Sequence, residues 1–345
     1  MSRLLEVPEF FQPDRVGELW RVPYAERAND ARQWAAEHDL PPAADDRVRV
    51  GLLAIDVQNT FCLPDFELFV AGRSGTGAID DTVRFCRFLY QNLATITEII
   101  PTLDTHTARQ VFHPSFWRDS DGNAPAPMTI VTLDDVEAGR WQIDPSAKGV
   151  CPSAFSGDLD AYACHYVRQL TQDGKLPLTI WPYHGMLGGV GHALVSAFDE
   201  ACFFHNLARQ SQTRFEQKGS NPLTENYSVL RPEVMTDDRG TTIASKNTDA
   251  IEYLLSFDAL IVAGQAKSHC VAWSVRDLLD EIQTRDPSLA RRVYLLEDCM
   301  SPVVVPDVVD YTDAAEAVFA DFAAAGMQRV TSEMAIETWA NFPVG

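Results

Sequence analysis

The chain alternates between short apolar runs and longer segments whose apolar residues recur at helical spacing. The first run, residues 48–55, is nearly continuous and ends at Asp56, which is typical of a strand buried on both faces of a parallel sheet. The segment after Asp80 and Asp81 has helical spacing, and either aspartate can cap the helix start. Further strands are predicted near residues 99–103, 178–181, 260–263 and 293–296, and further helices near residues 158–170, 191–208, 248–257, 271–283 and 313–325.

This alternation of strand and helix predicts an α/β fold with a doubly wound, mostly parallel sheet of about six strands. Pro101 is unusual in the second run, because proline cannot donate a hydrogen bond within a central strand. Residues 1–47 are rich in proline, alanine and charge and are predicted to form an N-terminal extension. The alternation fails between about residues 107 and 179, which predicts a lid-like insertion in a domain that spans residues 48–345.

Composition narrows the class of protein. The 345 residues are 46% hydrophobic, and no apolar run approaches the length needed to cross a bilayer, which excludes a membrane protein. Subtracting 49 acidic from 28 basic residues gives a net charge of −21, so nucleic acid and anionic lipid are excluded as partners.

The first residues carry acids and a proline instead of a secretory signal, so we expect a cytoplasmic protein. Seven cysteines without a C-x-x-C pair fit neither a disulfide framework nor a thiolate zinc cluster.

Candidate chemistry lies where polar residues follow strands, because open α/β sheets bind ligands beyond the carboxyl ends of their strands. Asp56 follows the first strand, although an aspartate that simply begins a loop is the alternative. Asp104 and His106 follow the second strand and point the same way in extended backbone, so they can hold one cation together. A carboxylate and an imidazole suit zinc, manganese or iron rather than calcium.

A third metal ligand is predicted at His184, which follows the apolar run at residues 178–181 and a proline. Three protein ligands would leave coordination positions for water or substrate. The competing histidines are His113, His165, His192 and His205. The last of these lies within a helical apolar pattern, which favours a hydrogen-bonded histidine of the core or helix surface.

Cys270 follows the predicted strand at residues 260–263 and a loop that contains Gly264, and it stands at the start of a predicted helix. The N–H groups and the dipole of a helix N-terminus lower the pKa of a thiol and can donate to an oxyanion. An ordinary cysteine in the first helical turn is the alternative.

Taken in order, these segments resemble the nicotinamidase/isochorismatase-like cysteine hydrolase family over roughly residues 48–335. The matching motifs are D-x-Q-x-x-F at Asp56, Gln58 and Phe61, D-x-H at Asp104 and His106, W-P-x-H at residues 181–184, Lys218-Gly219 ahead of Tyr227-Ser228, and G-x-A-x-x-x-C at residues 264–270. The resemblance implies three αβα layers. It also implies a catalytic triad of Asp56, Lys218 and Cys270, with Lys246 as a weaker substitute for the lysine, and metal ligation by Asp104, His106 and His184.

The resemblance further implies a cis peptide bond between Gln265 and Ala266, and an oxyanion hole formed by the amide N–H groups of Ala266 and Cys270. Phe61 is expected to line the substrate pocket. The implied cofactor is one divalent transition metal, with zinc as the first candidate and manganese or iron as alternatives. Gly185 stands where nicotinamidases often have cysteine.

The predicted function is hydrolysis of a small neutral amide, with nicotinamide as the first candidate, through a cysteine thioester. A homo-oligomer is expected. The alternatives are isochorismatase-like hydrolysis of another small molecule, a metallohydrolase that uses metal-bound water, and a non-catalytic binding protein that retains the fold.

Overall fold

A computed structural model describes residues 4–153, 155 and 157–343. The predicted extension and domain therefore reach beyond the described part at residues 1–3 and 344–345, and the predicted insertion does so at residues 154 and 156. The strands in chain order are β1 (Val50–Ile55), β2 (Glu98–Asp104), β3 (Trp117–Arg118), β4 (Ile130–Val131), β5 (Gln142–Ile143), β6 (Leu178–Thr179), β7 (Glu216–Lys218), β8 (Ala259–Gly264), β9 (Val293–Leu296), β10 (Val304–Val305), β11 (Val309–Asp310) and β12 (Gln328–Val330). The α-helices are α1 (Tyr24–Glu37), α2 (Asn59–Cys62), α3 (Gly77–Gln91), α4 (Leu133–Glu137), α5 (Leu159–Gln172), α6 (Ser196–Ala208), α7 (Thr248–Leu255), α8 (Ala272–Arg285) and α9 (Thr312–Ala324).

A six-stranded sheet in the order β12-β9-β8-β1-β2-β7 forms the centre, and every neighbouring pair in it is parallel. Side chains alternate between its faces, so Leu52 and Ala54 pack on one side of β1 while Leu53 and Ile55 pack on the other. Helices α3 and α6 cover the first face, and helices α5, α7, α8 and α9 cover the second. The predicted three-layer, doubly wound fold is confirmed.

The N-terminal extension packs against the outer side of α6 through its helix α1. Leu5, Phe11 and Val16 are buried in the same apolar layer as α3 and α6. The extension therefore adds to one face of the sheet. No helix among the described residues is both long and apolar enough to cross a membrane.

The apolar run at residues 178–181 was predicted to be a strand of the parallel sheet, and this is wrong. Only residues 178–179 form a strand, and it pairs antiparallel with β4 of the insertion. The run is apolar because the insertion buries it, as the full burial of Ile180 shows. The sheet ends instead at β7, whose short and mostly polar sequence carries no strand pattern.

Pro101 lies within β2 and pairs in register with Ala54. The carbonyl of Ile99 and the N–H of Thr105 form hydrogen bonds on the β7 side of β2. Pro101 comes two residues after Ile99, so its nitrogen faces the same side. The edge strand begins only at Glu216, beyond the point that Pro101 faces. The missing donor therefore costs the sheet no hydrogen bond.

Helix α3 begins earlier than predicted, at Gly77, so neither Asp80 nor Asp81 is its cap. Asp81 is buried within the helix and accepts a hydrogen bond of 2.9 Å from the side chain of Gln265. Its role is to support the loop that follows β8.

Candidate functional site

Four strands deliver polar side chains to the same edge of the sheet. Asp56 follows β1, Asp104 ends β2 and Lys218 ends β7. Cys270 lies in a single π-helical turn, Lys267–Val271, that joins β8 to α8. Because these strands are adjacent and parallel, their carboxyl ends bring together residues that are far apart in the sequence.

The ammonium group of Lys218 is the centre of this cluster. Its Nζ atom lies 3.1 Å from Asp56 Oδ2, 2.7 Å from Asp104 Oδ1 and 3.6 Å from Cys270 Sγ. The lysine side chain is only 1% exposed. Asp56 is also fully buried and accepts a hydrogen bond from the hydroxyl of Thr102. The structure therefore brings the three residues of the predicted triad into contact, whereas Lys246 pairs with Glu281 elsewhere.

Burial and charge set the protonation of these groups. Burial raises the pKa of Asp56, and the nearby Lys218 opposes that rise. Burial alone would lower the pKa of Lys218, but the charges of Asp104 and Asp56 hold it well above its ordinary value. Burial raises the pKa of the Cys270 thiol well above its ordinary value despite Lys218, so the predicted lowering by a helix N-terminus is wrong. A raised pKa disfavours the thiolate, so the attack of Cys270 on a carbonyl calls for a base.

Asp104, His106 and His184 form a buried group whose possible ligand atoms all lie within 4.8 Å of one another. His106 Nε2 is 2.8 Å and His184 Nε2 is 3.4 Å from Asp104 Oδ2. The opposite ring nitrogens face backbone carbonyls, Nδ1 of His106 toward Gly219 at 3.1 Å and Nδ1 of His184 toward Pro182 at 2.8 Å.

This arrangement fits a metal ion. When backbone carbonyls accept from both Nδ1 atoms, the two Nε2 atoms are directed at a carboxylate oxygen, and a metal ion among them would take one lone pair from each of the three ligands. Although burial opposes it, the charges of His106 and Lys218 hold the pKa of Asp104 well below its ordinary value. One carboxylate with two imidazoles is a donor set for a transition metal.

The competing histidines lie outside this group. One ring nitrogen of each has a partner: His113 Nδ1 the Thr107 carbonyl, His165 the Thr236 carbonyl, His192 the Thr105 hydroxyl and His205 the Ile96 carbonyl, while His113 Nε2 is buried without a partner among the described residues. His205 is a fully buried core histidine, as its helical pattern indicates.

Two glycines make room for the metal group. A Cβ atom on Gly219 would lie 2.6 Å from His106 Cε1, and one on Gly185 would lie 2.7 Å from the Asp104 carbonyl oxygen. Both glycines also have positive φ angles, +83° and +54°. Glycine at position 185 is therefore required by its backbone conformation and by the close approach of the Asp104 carbonyl oxygen at the end of β2.

Gln58, the glutamine of the first motif, links the ends of two neighbouring strands. Its Oε1 accepts from the Asp104 N–H at 2.7 Å, and its Nε2 donates to the Asp104 carbonyl at 3.1 Å. The side chain therefore fixes the loop after β1 to the end of β2. These two hydrogen bonds therefore fix the position of Asp56 in the triad relative to Asp104 in the metal group.

The peptide bond between Gln265 and Ala266 is cis, at the position where the resemblance placed one. Gly264 before it has a φ of +120°, and a Cβ there would lie 2.0 Å from the Ile55 carbonyl oxygen. Gln265 N–H donates to Ile55 and Lys267 N–H donates to Ser301. Within the described part of the chain, the Ala266 N–H between them has no such acceptor, so it is available to an oxyanion.

A cavity of about 270 Å³ opens above Cys270 and the metal group. Its wall is largely apolar and includes Phe61, whose ring meets His184 edge to face with centroids 5.8 Å apart. Several further lining residues were not predicted, among them Glu225, His269 and Met128. Glu225 and Met128 lie on loops, where hydrophobic periodicity carries no signal, and His269 lies beside Cys270 in the π-helical turn. Burial raises the pKa of Glu225 to about 8 and lowers that of His269 to about 4.

No family profile matches the chain, and no curated protein is similar to it in sequence. Solved structures do match. The yeast nicotinamidase bound to the inhibitor nicotinaldehyde is 16% identical, with 82% of this chain and 99% of that chain covered and a TM-score of 0.50. The chain has the nicotinamidase fold. At this identity the likeness concerns the fold alone, and it confirms the resemblance of the motifs at that level.

Two other solved structures match at lower scores. An Acinetobacter baumanii nicotinamidase and pyrazinamidase is 16% identical over 84% of this chain and 98% of that chain, with a TM-score of 0.49. A Pyrococcus horikoshii pyrazinamidase in complex with zinc is 15% identical over 82% of this chain and 99% of that chain, with a TM-score of 0.44.

His184→Ala is expected to weaken metal binding by more than the roughly 10- to 100-fold that loss of a hydrogen-bond partner of a ligand costs. The measurement is metal content after dialysis against a graded chelator. His165→Ala is the matched control, because His165 hydrogen-bonds at Thr236 away from the group. Equal metal content in wild type and His184→Ala would remove His184 from the site and make His113 and His192 the next candidates.

Proposed function

We propose that the protein is a metal-containing cysteine amidase that hydrolyses a small amide through a thioester on Cys270. The observation that carries this proposal is the position of Lys218 Nζ, in contact with the carboxylate of Asp56 and the sulfur of Cys270 at the base of the cavity. The nicotinamidase fold and the ordered motifs support the same chemistry.

The first half of the reaction forms the thioester. Asp56 accepts the thiol proton as the sulfur of Cys270 attacks the amide carbonyl, and Lys218 balances the charge of the carboxylate before and after the transfer. The carbonyl oxygen becomes an oxyanion, to which the N–H groups of Ala266 and Cys270 donate. Asp56 then returns its proton to the amide nitrogen, the C–N bond breaks and ammonia leaves.

The second half releases the acid. Water adds to the thioester carbonyl while Asp56 takes one of its protons, which gives a second oxyanion in the same position. The C–S bond breaks, and the sulfur of Cys270 regains a proton from Asp56. One carboxyl group thus serves in turn as base and acid, which suits a carboxyl whose pKa is raised by burial.

Asp104, His106 and His184 would hold the divalent ion, for which zinc is the first candidate. When bound, such an ion supplies a Lewis acid that can fix a substrate heteroatom, for example the pyridine nitrogen of nicotinamide. A cytoplasmic location and a homo-oligomeric state stay predictions.

Ammonia release from nicotinamide, pyrazinamide, carbamoylated amines and ureido compounds tests the proposal. We expect at least one of these classes to be hydrolysed by the metal-loaded protein and Cys270→Ala to abolish that activity. Cys164→Ala is the matched control, since Cys164 lies on α5 and does not line the cavity. Activity that survives in Cys270→Ala would identify a metallohydrolase that uses water directly, and a protein that releases no ammonia from any class would contradict the amidase.

A further inference from the structure

The π-helical turn that carries Cys270 presents a second polar side chain to the cavity, and the proposed chemistry does not use it. His269 lines the cavity and is 5% exposed. Its Nδ1 atom lies 2.8 Å from the hydroxyl oxygen of Ser268, whereas its Nε2 atom has no hydrogen-bond partner among the described residues. Nε2 is not among the fully buried polar atoms that lack a partner, so it borders the open space of the cavity. Buried polar groups normally have a partner, and here a ligand can supply it.

The hydrogen bonds of Ser268 determine which ring nitrogen of His269 carries the proton. The hydroxyl oxygen of Ser268 accepts from the Val303 N–H at 3.0 Å. The hydroxyl proton then has one acceptor among the described residues, which is Nδ1 of His269. A neutral imidazole that accepts at Nδ1 carries its proton at Nε2. His269 therefore presents an N–H donor to the cavity.

His269 is uncharged near neutral pH. Burial lowers its pKa to about 4, and no charged side chain contributes to that shift. Lys267 belongs to the same turn, but its ammonium group pairs with Glu297 and Glu316 and does not line the cavity. The donor at Nε2 is therefore an uncharged one, and it persists over the range of pH in which the protein would work.

Three aromatic rings surround the imidazole of His269. It meets the rings of Tyr311, Tyr227 and Trp181 edge to face, with centroids 4.9, 5.5 and 6.0 Å apart. These contacts fix the direction in which the Nε2–H points. A charged ligand group would lose its hydration against the rings, so the acceptor that fits beside them is uncharged.

The insertion holds the segment that carries Tyr227. The Tyr166 hydroxyl accepts from the Glu225 N–H at 3.1 Å, and the Tyr162 hydroxyl donates to the Leu223 carbonyl. Both of these tyrosines belong to α5 and are fully buried. The ring of Tyr227 is therefore packed on the imidazole by a backbone that is fixed on either side of Glu225.

We propose that His269 determines substrate specificity by donating its Nε2–H to an uncharged acceptor of the substrate, and that Ser268 is the positioning residue that selects this tautomer. The substrate class is small amides with a second, neutral hydrogen-bond acceptor beyond the scissile group, such as an ether, a carbonyl or a ring nitrogen. This inference rests on the proposed amidase function. A methylene group in place of the acceptor would leave the Nε2–H unpaired.

The tautomer can be measured without catalysis. Long-range ¹⁵N–¹H correlation spectra of protein labelled at histidine distinguish Nε2–H from Nδ1–H, and the signal that is missing from His269→Phe identifies His269. We expect the Nε2–H tautomer in wild type and in Ser268→Thr, which keeps the hydroxyl, and a large share of Nδ1–H in Ser268→Ala. An Nδ1–H tautomer in wild type, or a spectrum that Ser268→Ala leaves unchanged, would overturn the inference.

Matched substrates measure the preference. Methoxyacetamide and butanamide differ only by an ether oxygen in place of a methylene group, and 3-methoxypropanamide and pentanamide carry the same difference one atom further from the amide. We expect the ratio of kcat/KM within the better-placed pair to be about 5- to 100-fold higher in wild type than in His269→Phe, the usual cost of an unpaired buried donor. Comparing the two proteins cancels the different reactivity of the two amides. The change should lie in KM rather than kcat.

Ser268→Thr should keep the wild-type ratio, and Ser268→Ala should lose most of it. Calorimetry of the same pairs with Cys270→Ala gives the preference without turnover. A ratio that His269→Phe leaves unchanged would overturn the assignment, even with the expected tautomer. Absence of Cys270-dependent ammonia from every amide would instead contradict the proposed function, while the tautomer and the binding preference would still decide the role of His269.

Discussion

Asp56→Asn is expected to lower kcat/KM for amide hydrolysis by about 10²- to 10⁴-fold, the usual worth of a general acid–base group. Because burial raises the pKa of the Cys270 thiol, the reaction needs a group that removes its proton, and an amide cannot do so. Asparagine can keep its oxygen toward Lys218 and turn its N–H₂ toward the Thr102 hydroxyl, so the fold should persist. Turnover, substrate affinity and metal content are measured together.

Asp199→Asn is the control for this variant, since Asp199 lies on α6 and accepts from the Tyr24 hydroxyl far from the cavity lining. It should retain near-normal kcat. Near-normal turnover in Asp56→Asn itself would show that another group transfers the proton, and the cysteine mechanism would then have to be abandoned.

Lys218→Met is expected to lower the free energy of unfolding by about 3–5 kcal/mol, because it leaves the buried carboxylates of Asp56 and Asp104 without their ammonium partner. Methionine fills nearly the same volume, so the loss reports charge rather than packing. Urea unfolding of the metal-free proteins measures it. Added zinc should recover part of the loss, since a cation at Asp104 replaces one of the two interactions.

Lys246→Met provides the comparison, because Lys246 pairs with Glu281 on the surface, where ion pairs are usually worth about 0–1 kcal/mol. If both variants lost the same stability, the ammonium of Lys218 would not be holding the two carboxylates together, and the charge balance proposed for the active site would be wrong.

The buried strands were the part of the fold that the sequence could predict. The apolar runs of β1, β8 and β9 indicate strands covered on both faces, and the polar residues at their ends indicate the edge where the site forms. The edge strand β7 was missed because Glu216 and Gln217 are polar and only Lys218 is buried. The run at residues 178–181 was misassigned because burial by the insertion produces the same apolar pattern as burial within a sheet.

The residues of the site also divide into those that the sequence could predict and those that it could not. Residues of the motifs, such as Asp104 and Cys270, could be singled out because their spacing and their place after a strand have chemical meaning. The protonation of Cys270 could not be predicted, since it depends on how deeply the folded chain buries the thiol. Glu225 could not be predicted either, because its loop has no periodic pattern that would place it at the cavity.

The two tyrosine hydroxyls of α5 have a consequence for how such a protein can diversify. Tyr162 and Tyr166 lie in a segment that contains none of the residues proposed for catalysis or metal binding, yet they fix the backbone that carries Glu225. Changes within that segment would therefore reshape the wall of the cavity at Glu225 while Asp56, Lys218 and Cys270 stay untouched. Under the proposed amidase function, a descendant of this chain that exchanged its insertion would gain a new substrate pocket around an unchanged triad.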